Sequence, residues 1–241
     1  MAGTHDFSYR RARFAALLTG ALAVAAVAAA AVAPVAPARA AGWALPENGE
    51  LAFDVMRAGE PIGRHVLTFH NPAEDELRVR IAIDLEVRFI GIPVFRYSHQ
   101  SQEVWRDGRL ARLSTRTNDD GREYFVDATK AVTGGDETSV IEIRHPEGTV
   151  TAPPDIVPTS YWNRAILSRP HLLNTQDGRL LDVVVETLGL ETVTARGQMR
   201  RATRYRLTGD LRLDLWFDDG GQLVKLRFED KSGTEIDYVL R

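Results

Sequence analysis

Cysteine is absent from the chain, which excludes disulfides, thiolate metal sites and a thiol nucleophile and leaves the fold to its core alone. A basic surplus is absent as well, since 30 Lys and Arg stand against 33 Asp and Glu. Nucleic-acid binding calls for a concentrated basic surface, and this balance argues against it. No Gly-x-Ser-x-Gly elbow occurs, and no serine stands in a recognisable order with His and Asp. No glycine-rich phosphate loop follows a strand and opens a helix, and no cofactor motif is present. His65, His70, His99, His145 and His171 lack metal-ligand spacing, so no metal site is expected. The paired carboxylates Asp119-Asp120 and Asp218-Asp219 sit inside turn signatures and read as hairpin residues rather than as an acid/base pair.

What is present begins with an amino-terminal stretch unlike the rest. Arg10, Arg11 and Arg13 precede an alanine-rich apolar run over 14–33, and Ala38-Arg39-Ala40 is a small-x-small site. Residues 1–40 therefore read as an export signal cut before Ala41, with an uncleaved inner-membrane anchor over 14–33 as the alternative. Removing 1–40 leaves 26 basic and 32 acidic residues, a formal charge of −6. The expected location is periplasmic or secreted.

Beyond that point the periodicity is two. Ile81, Ile83, Leu85, Val87 and Phe89 alternate with Arg80, Ala82, Asp84, Glu86 and Arg88, the pattern of a strand with one buried and one wet face. The same arithmetic recurs at Leu51/Phe53/Val55, Leu211/Leu213/Leu215/Phe217, Val224/Leu226/Phe228 and Ile236/Tyr238/Leu240. Turn chemistry separates the runs at Ala58-Gly59, Asp107-Gly108, Asp120-Gly121, Gly134-Gly135-Asp136, Asp177-Gly178 and Asp218-Asp219-Gly220-Gly221. Roughly a dozen strands joined by short turns exceed what one flat sheet tolerates. The expected fold is all-β, one domain over 41–241: a strongly curved antiparallel sheet or open barrel, with meanders over 48–152 and 178–241 and one short helix as plug or lid.

That helix is expected over 159–167. Pro153, Pro154 and Pro158 keep its approach extended, Thr159 or Ser160 would cap it, and Pro170 would end it. At helical spacing Tyr161 faces Ala165 and Trp162 faces Ile166. Tyr161, Trp162 and Asn163 are candidates for lining a pocket beneath a lid, or for plugging the curved sheet.

The most unusual strand spans Val94 to Trp105. Phe95, Tyr97, His99, Ser101, Glu103 and Trp105 share one face and mix aromatics with ionisable groups. A cavity wall explains the mixture, and so does an exposed edge strand. His99 and Glu103 lie about 13 Å apart along an extended strand and cannot touch.

Four stretches together carry a resemblance: Leu51-Ala52-Phe53-Asp54-Val55 with Pro61-Ile62-Gly63-Arg64-His65; Ser101-Gln102-Glu103-Val104-Trp105-Arg106-Asp107-Gly108; Thr159-Ser160-Tyr161-Trp162-Asn163; and Tyr205-Arg206-Leu207-Thr208-Gly209-Asp210. With these the chain resembles a family of exported bacterial proteins known as domain of unknown function 6134. The resemblance implies no activity and transfers no catalytic residue. In architecture the chain is also similar to the lid-covered half-barrels of periplasmic lipoprotein carriers, an analogy of fold that does not fix function. The expectation is a non-enzymatic binding or carrier protein whose apolar or lipid-like ligand meets Phe95, Tyr97, Trp105, Tyr161 and Trp162, with polar contacts from His99, Glu103 and Asn163. The alternative is an envelope assembly module with a packed core, acting on envelope proteins through a surface or sheet edge. An enzyme using His99 or Glu103 as acid or base is a third reading.

Overall fold

The computed structural model describes residues 43, 45–133 and 138–241; the expected export signal over 1–40 and the expected turn at Gly134-Gly135-Asp136 lie outside them. Eight strands follow one another as a meander: β1 (Glu50–Arg57), β2 (Glu60–Ala73), β3 (Glu76–Phe89), β4 (Ile92–Arg106), β5 (Arg109–Asp119), β6 (Arg122–Thr133), β7 (Thr138–His145) and β8 (Gly148–Ala152). After a two-residue strand β9 (Val157–Pro158), a 3₁₀ helix (Arg164–Ser168) and β10 (His171–Leu173), the long β11 (Leu180–Ala195) and β12 (Gln198–Gly209) begin a second meander. It continues through β13 (Leu213–Asp218), β14 (Leu223–Glu229) and β15 (Glu235–Leu240).

All fifteen strands form one sheet, with β15 paired to β1 at its middle and β8 and β9 at its edges. Every pairing is antiparallel except β9 with β10. The sheet curls without closing, as expected from the number of strands and their short turns. Five of the expected turns place residues at positive φ: Ala58-Gly59, Asp107-Gly108 and Asp120-Gly121 in both central positions, and Gly178 and Gly221 singly. Two further turns of the same kind, Ile90-Gly91 and Arg196-Gly197, were not among the expected ones: isoleucine and arginine are unusual first residues for a turn at positive φ.

Register explains where the core sits. Leu51, Leu67, Ile81, Ser101, Thr115 and Val126 lie opposite one another across β1 to β6, and all are buried. One pleat along, Val79, Glu103, Leu113, Ala128 and Ile143 form the next inward row. Gly63 permits the tight approach of β2 to β3: its φ is +154° and an added Cβ would stand 2.0 Å from the Asp84 carbonyl oxygen. On the outer side of β13, Asp214 takes Arg206 at 2.8 Å and also Arg204, while Arg204 and Lys225 lie over the Trp216 ring. Those arginines thus cover the buried Trp216 with an ion network.

Three expectations need correction. The helix covers Arg164–Ser168 rather than 159–167, because Val157–Pro158 is drawn into β9 against Leu172 and Leu173 and Tyr161 takes a left-handed turn with φ +65°. Its cap is Asn163, whose Oδ1 accepts from the Ala165 amide at 3.0 Å, not Thr159 or Ser160. The mixed strand is no edge, since β4 lies between β3 and β5.

Candidate functional site

The inward face of β4 descends from an open rim to a closed floor. Ile92 is 66% exposed, Phe95 and Tyr97 are half-buried, and His99, Ser101, Glu103 and Trp105 are at most 4% exposed. β3 repeats the gradient, from exposed Phe89 through half-buried Val87, Leu85 and Ile83 to buried Ile81, Val79 and Leu77. The alternation of the sequence is therefore right, but its burial fades toward the Ile90-Gly91 turn and leaves Phe89 in solvent.

At the floor, Trp162 enters from the segment between β9 and the 3₁₀ helix. Its ring meets Trp105 edge-on at 5.5 Å and Phe69 edge-on at 5.4 Å. The Glu103 Oε2 accepts hydrogen bonds from Trp105 Nε1 at 2.8 Å and Trp162 Nε1 at 3.0 Å. Burial raises the Glu103 pKa, and those two indoles with the nearby Ser160 hydroxyl only partly oppose it. Its Oε1 is buried with no partner in the protein, as is the Ser160 Oγ.

Above this floor runs a band of histidine and tyrosine. His99 Nδ1 pairs with Thr117 Oγ1 at 2.7 Å and its ring stacks on Tyr97 at 6.5 Å. Tyr97 in turn donates to Gln176 Oε1 at 3.3 Å. His65, two strands away, lies 5.8 Å from the Phe53 ring and 5.6 Å from that of Tyr238, with Phe228 beyond at 6.1 Å. Its Nε2 is buried without a partner, like the Ser101 hydroxyl between band and floor. Burial, reinforced by the approach of His99, lowers the His65 pKa to about 3, and burial lowers that of His99 to about 4. Burial also pushes Tyr161 up to about 12 and Tyr238 higher still. All four are neutral near pH 7, so the band offers hydrogen-bonding groups without charge.

The eight expected site residues thus separate. Glu103, Trp105 and Trp162 come together in the packed floor; Phe95, Tyr97 and His99 line the wall; Tyr161 is a half-buried turn residue beneath the rim. Asn163 spends its side chain on the cap. The sequence reading missed His65, Ser160 and Tyr238 as partners of this face, because strand register decides which distant side chains meet and no single strand shows it. Among the described residues no group of three or more His, Asp or Glu is placed to hold a metal. Two surface pockets among the described residues, lined by Asn48, Glu50, Ala52, Arg196 and Arg241 and by Arg116, Glu123, Tyr124, Phe125, Asp127 and Arg144, do not include these residues.

Fold and site together define an open, β-barrel-like protein with an aromatic rim, a neutral polar band and a tryptophan-sealed floor. Residues 53–241 match the family model described as Domain of unknown function (DUF6134), and the chain belongs to that family. Among solved structures it is similar to a β-barrel-like protein of domain of unknown function DUF1849 from Brucella abortus, at 11% identity and a TM-score of 0.55, over 80% of this chain and 94% of that one. At that identity the likeness speaks for the fold alone. No curated protein matches the chain significantly.

Proposed function

We propose that this is a non-enzymatic binding or carrier protein of the cell envelope that seats an apolar or lipid-like small molecule at the rim of the curled sheet. The observation that carries the reading is the graded inward wall of β3 and β4. Apolar and aromatic side chains stay half-open to solvent directly above buried polar atoms that lack partners in the protein. Such groups call for a hydrogen-bonding guest, and a wall of this kind suits a ligand with an apolar body and one polar end. The neutral histidines favour an uncharged end or a hydrogen-bond acceptor over a cation. Export and an envelope location rest on the amino-terminal signal read from the sequence.

Titration with N-phenyl-1-naphthylamine, an uncharged apolar fluorescent probe, tests the reading. Wild type should bind it saturably, and Tyr97→Arg, which places a charge in the wall, should weaken binding at least tenfold without lowering the melting temperature by more than a few degrees. Equal binding by both proteins, or none by wild type, contradicts the proposal. The second reading, an assembly module, is favoured by the packed Trp105-Trp162 floor and by the exposed β8 at the sheet edge.

A further inference from the structure

The β3–β4 hairpin outgrows its sheet. β2 pairs with β3 only as far as Gly63 opposite Leu85, and β5 pairs with β4 only as far as Asp119 opposite Tyr97. Beyond those rows the two strands pair with each other alone, through Glu86 with Arg96, Val87 with Phe95, Arg88 with Pro93 and Phe89 with Ile92. A two-stranded ribbon is marginal in water by itself, and this one ends in a run of seven residues, 89–95, without one polar side chain. Phe89 is 68% exposed, Ile90 84%, Ile92 66% and Val94 54%.

The turn deepens the conflict with water. Ile90 has φ +50° and Gly91 φ +76°, a pairing that ordinarily places Asn or Asp first. A β-branched residue in the left-handed region is strained, so an exposed isoleucine there serves neither the turn nor solubility. Both features are accounted for if the tip leaves water.

We infer that the β3–β4 arm is a membrane-docking device whose Phe89-Ile90-Gly91-Ile92 tip enters the interfacial layer of a bilayer containing anionic lipid. A protein groove would call for one apolar face, whereas this tip is apolar on every side: Phe89 and Ile92 share one face, Pro93 lies on the other, and Val94 is set between them by the register shift after Val87. The charge sits where a head-group layer would meet it. Arg88 lies two residues behind the turn, about 7 Å along the strand, within the depth of roughly 5–10 Å at which interfacial segments bury their apolar faces. Arg88 donates to Glu86 at 2.5 Å and to the Gly91 carbonyl at 3.2 Å, and Arg96 donates to Glu86 at 2.9 Å. The two guanidinium groups share the Glu86 carboxylate, and the Asp120 carboxylate accepts from the Arg96 amide at the base of the arm, so the positive charge nearest the tip, and offered to lipid phosphates, is Arg88. Phe89 and Ile92 are also the outermost, exposed end of the β3–β4 wall, so the arm continues the rim outward from the half-buried Val87, Phe95 and Tyr97 that the ligand reading uses.

The cysteine-free chain allows a site-specific test. Ile92→Cys and, as control, the exposed β8 position Thr149→Cys are each labelled with a nitrobenzoxadiazole fluorophore. The full chain is then mixed with vesicles of equal parts phosphatidylcholine and phosphatidylglycerol. The expected result is a blue shift, quenched by brominated lipid, at position 92 and none at 149. Adding Ile90→Asn should reduce partitioning of the tip at least tenfold while raising the melting temperature, since asparagine accepts the left-handed turn; binding of the fluorescent probe at the rim should stay unchanged. No shift at position 92, or equal shifts at both positions, overturns the proposal. A shift at 92 that grows with protein concentration without vesicles also overturns it and assigns the tip to a second copy of the chain.

Discussion

Trp162→Ala should lower the unfolding free energy by about 4 kcal/mol or more, read from the midpoint of a urea titration. Truncating a buried tryptophan costs about 3–5 kcal/mol through lost transfer and the cavity left behind. Trp162 is 6% exposed and fills the space between Trp105 and Phe69. It also donates one of the two hydrogen bonds that hold Glu103, so its removal leaves a buried carboxyl with a single donor, a further penalty of about 1–3 kcal/mol. Glu103→Gln separates the two contributions. An amide oxygen keeps both indoles as donors and removes the cost that burial imposes on the ionised carboxylate, so this variant should stay within about 1 kcal/mol of wild type at pH 7. If Trp162→Ala costs less than about 2 kcal/mol, the floor is not packed as described.

Acidification from pH 6.5 to 4.5 should cost the fold about 4 kcal/mol through its two buried histidines. His65 and His99 have folded pKa values near 3 and 4 against an ordinary 6.5. In that window the unfolded chain takes up two protons that the native state refuses. Stability that is complete above pH 6.5 is therefore lost as pH falls. Glu103 acts in the opposite sense: burial raises its pKa, which offsets part of this loss. Each histidine contributes up to one proton, worth about 1.4 kcal/mol per pH unit. Denaturation at several pH values between 7.5 and 4.5 measures the slope. His99→Gln should roughly halve the histidine contribution to the slope, because only His65 then refuses its proton in the native state. A wild-type profile that is already flat contradicts the burial of these groups.

Alternation, turn chemistry and strand count were enough to read an all-β curled sheet from the residues, and period two put Ser101, Glu103 and Trp105 on one face while leaving open whether that face was buried. The helix was misplaced because a proline-rich approach fits a short parallel strand as well as it fits a helix start. Propensity could not foresee a tyrosine at positive φ closing that turn. His65 went unnoticed for a different reason. Its place beside Tyr238 depends on β15 returning to pair with β1, a contact between residues nearly a whole domain apart in sequence. Register also decides that β3 and β4 run past their neighbours, so the exposed arm looked in sequence like any buried strand pair.

The proposed ligand at the rim is tested most directly by native mass spectrometry of the protein released gently from envelope membranes, followed by organic extraction. A discrete added mass that extracts as one apolar compound, and that is absent from Tyr97→Arg, is the predicted result. A clean mass of the protein alone, unchanged after incubation with envelope lipid, would contradict the binding function and leave the fold to act through its surface.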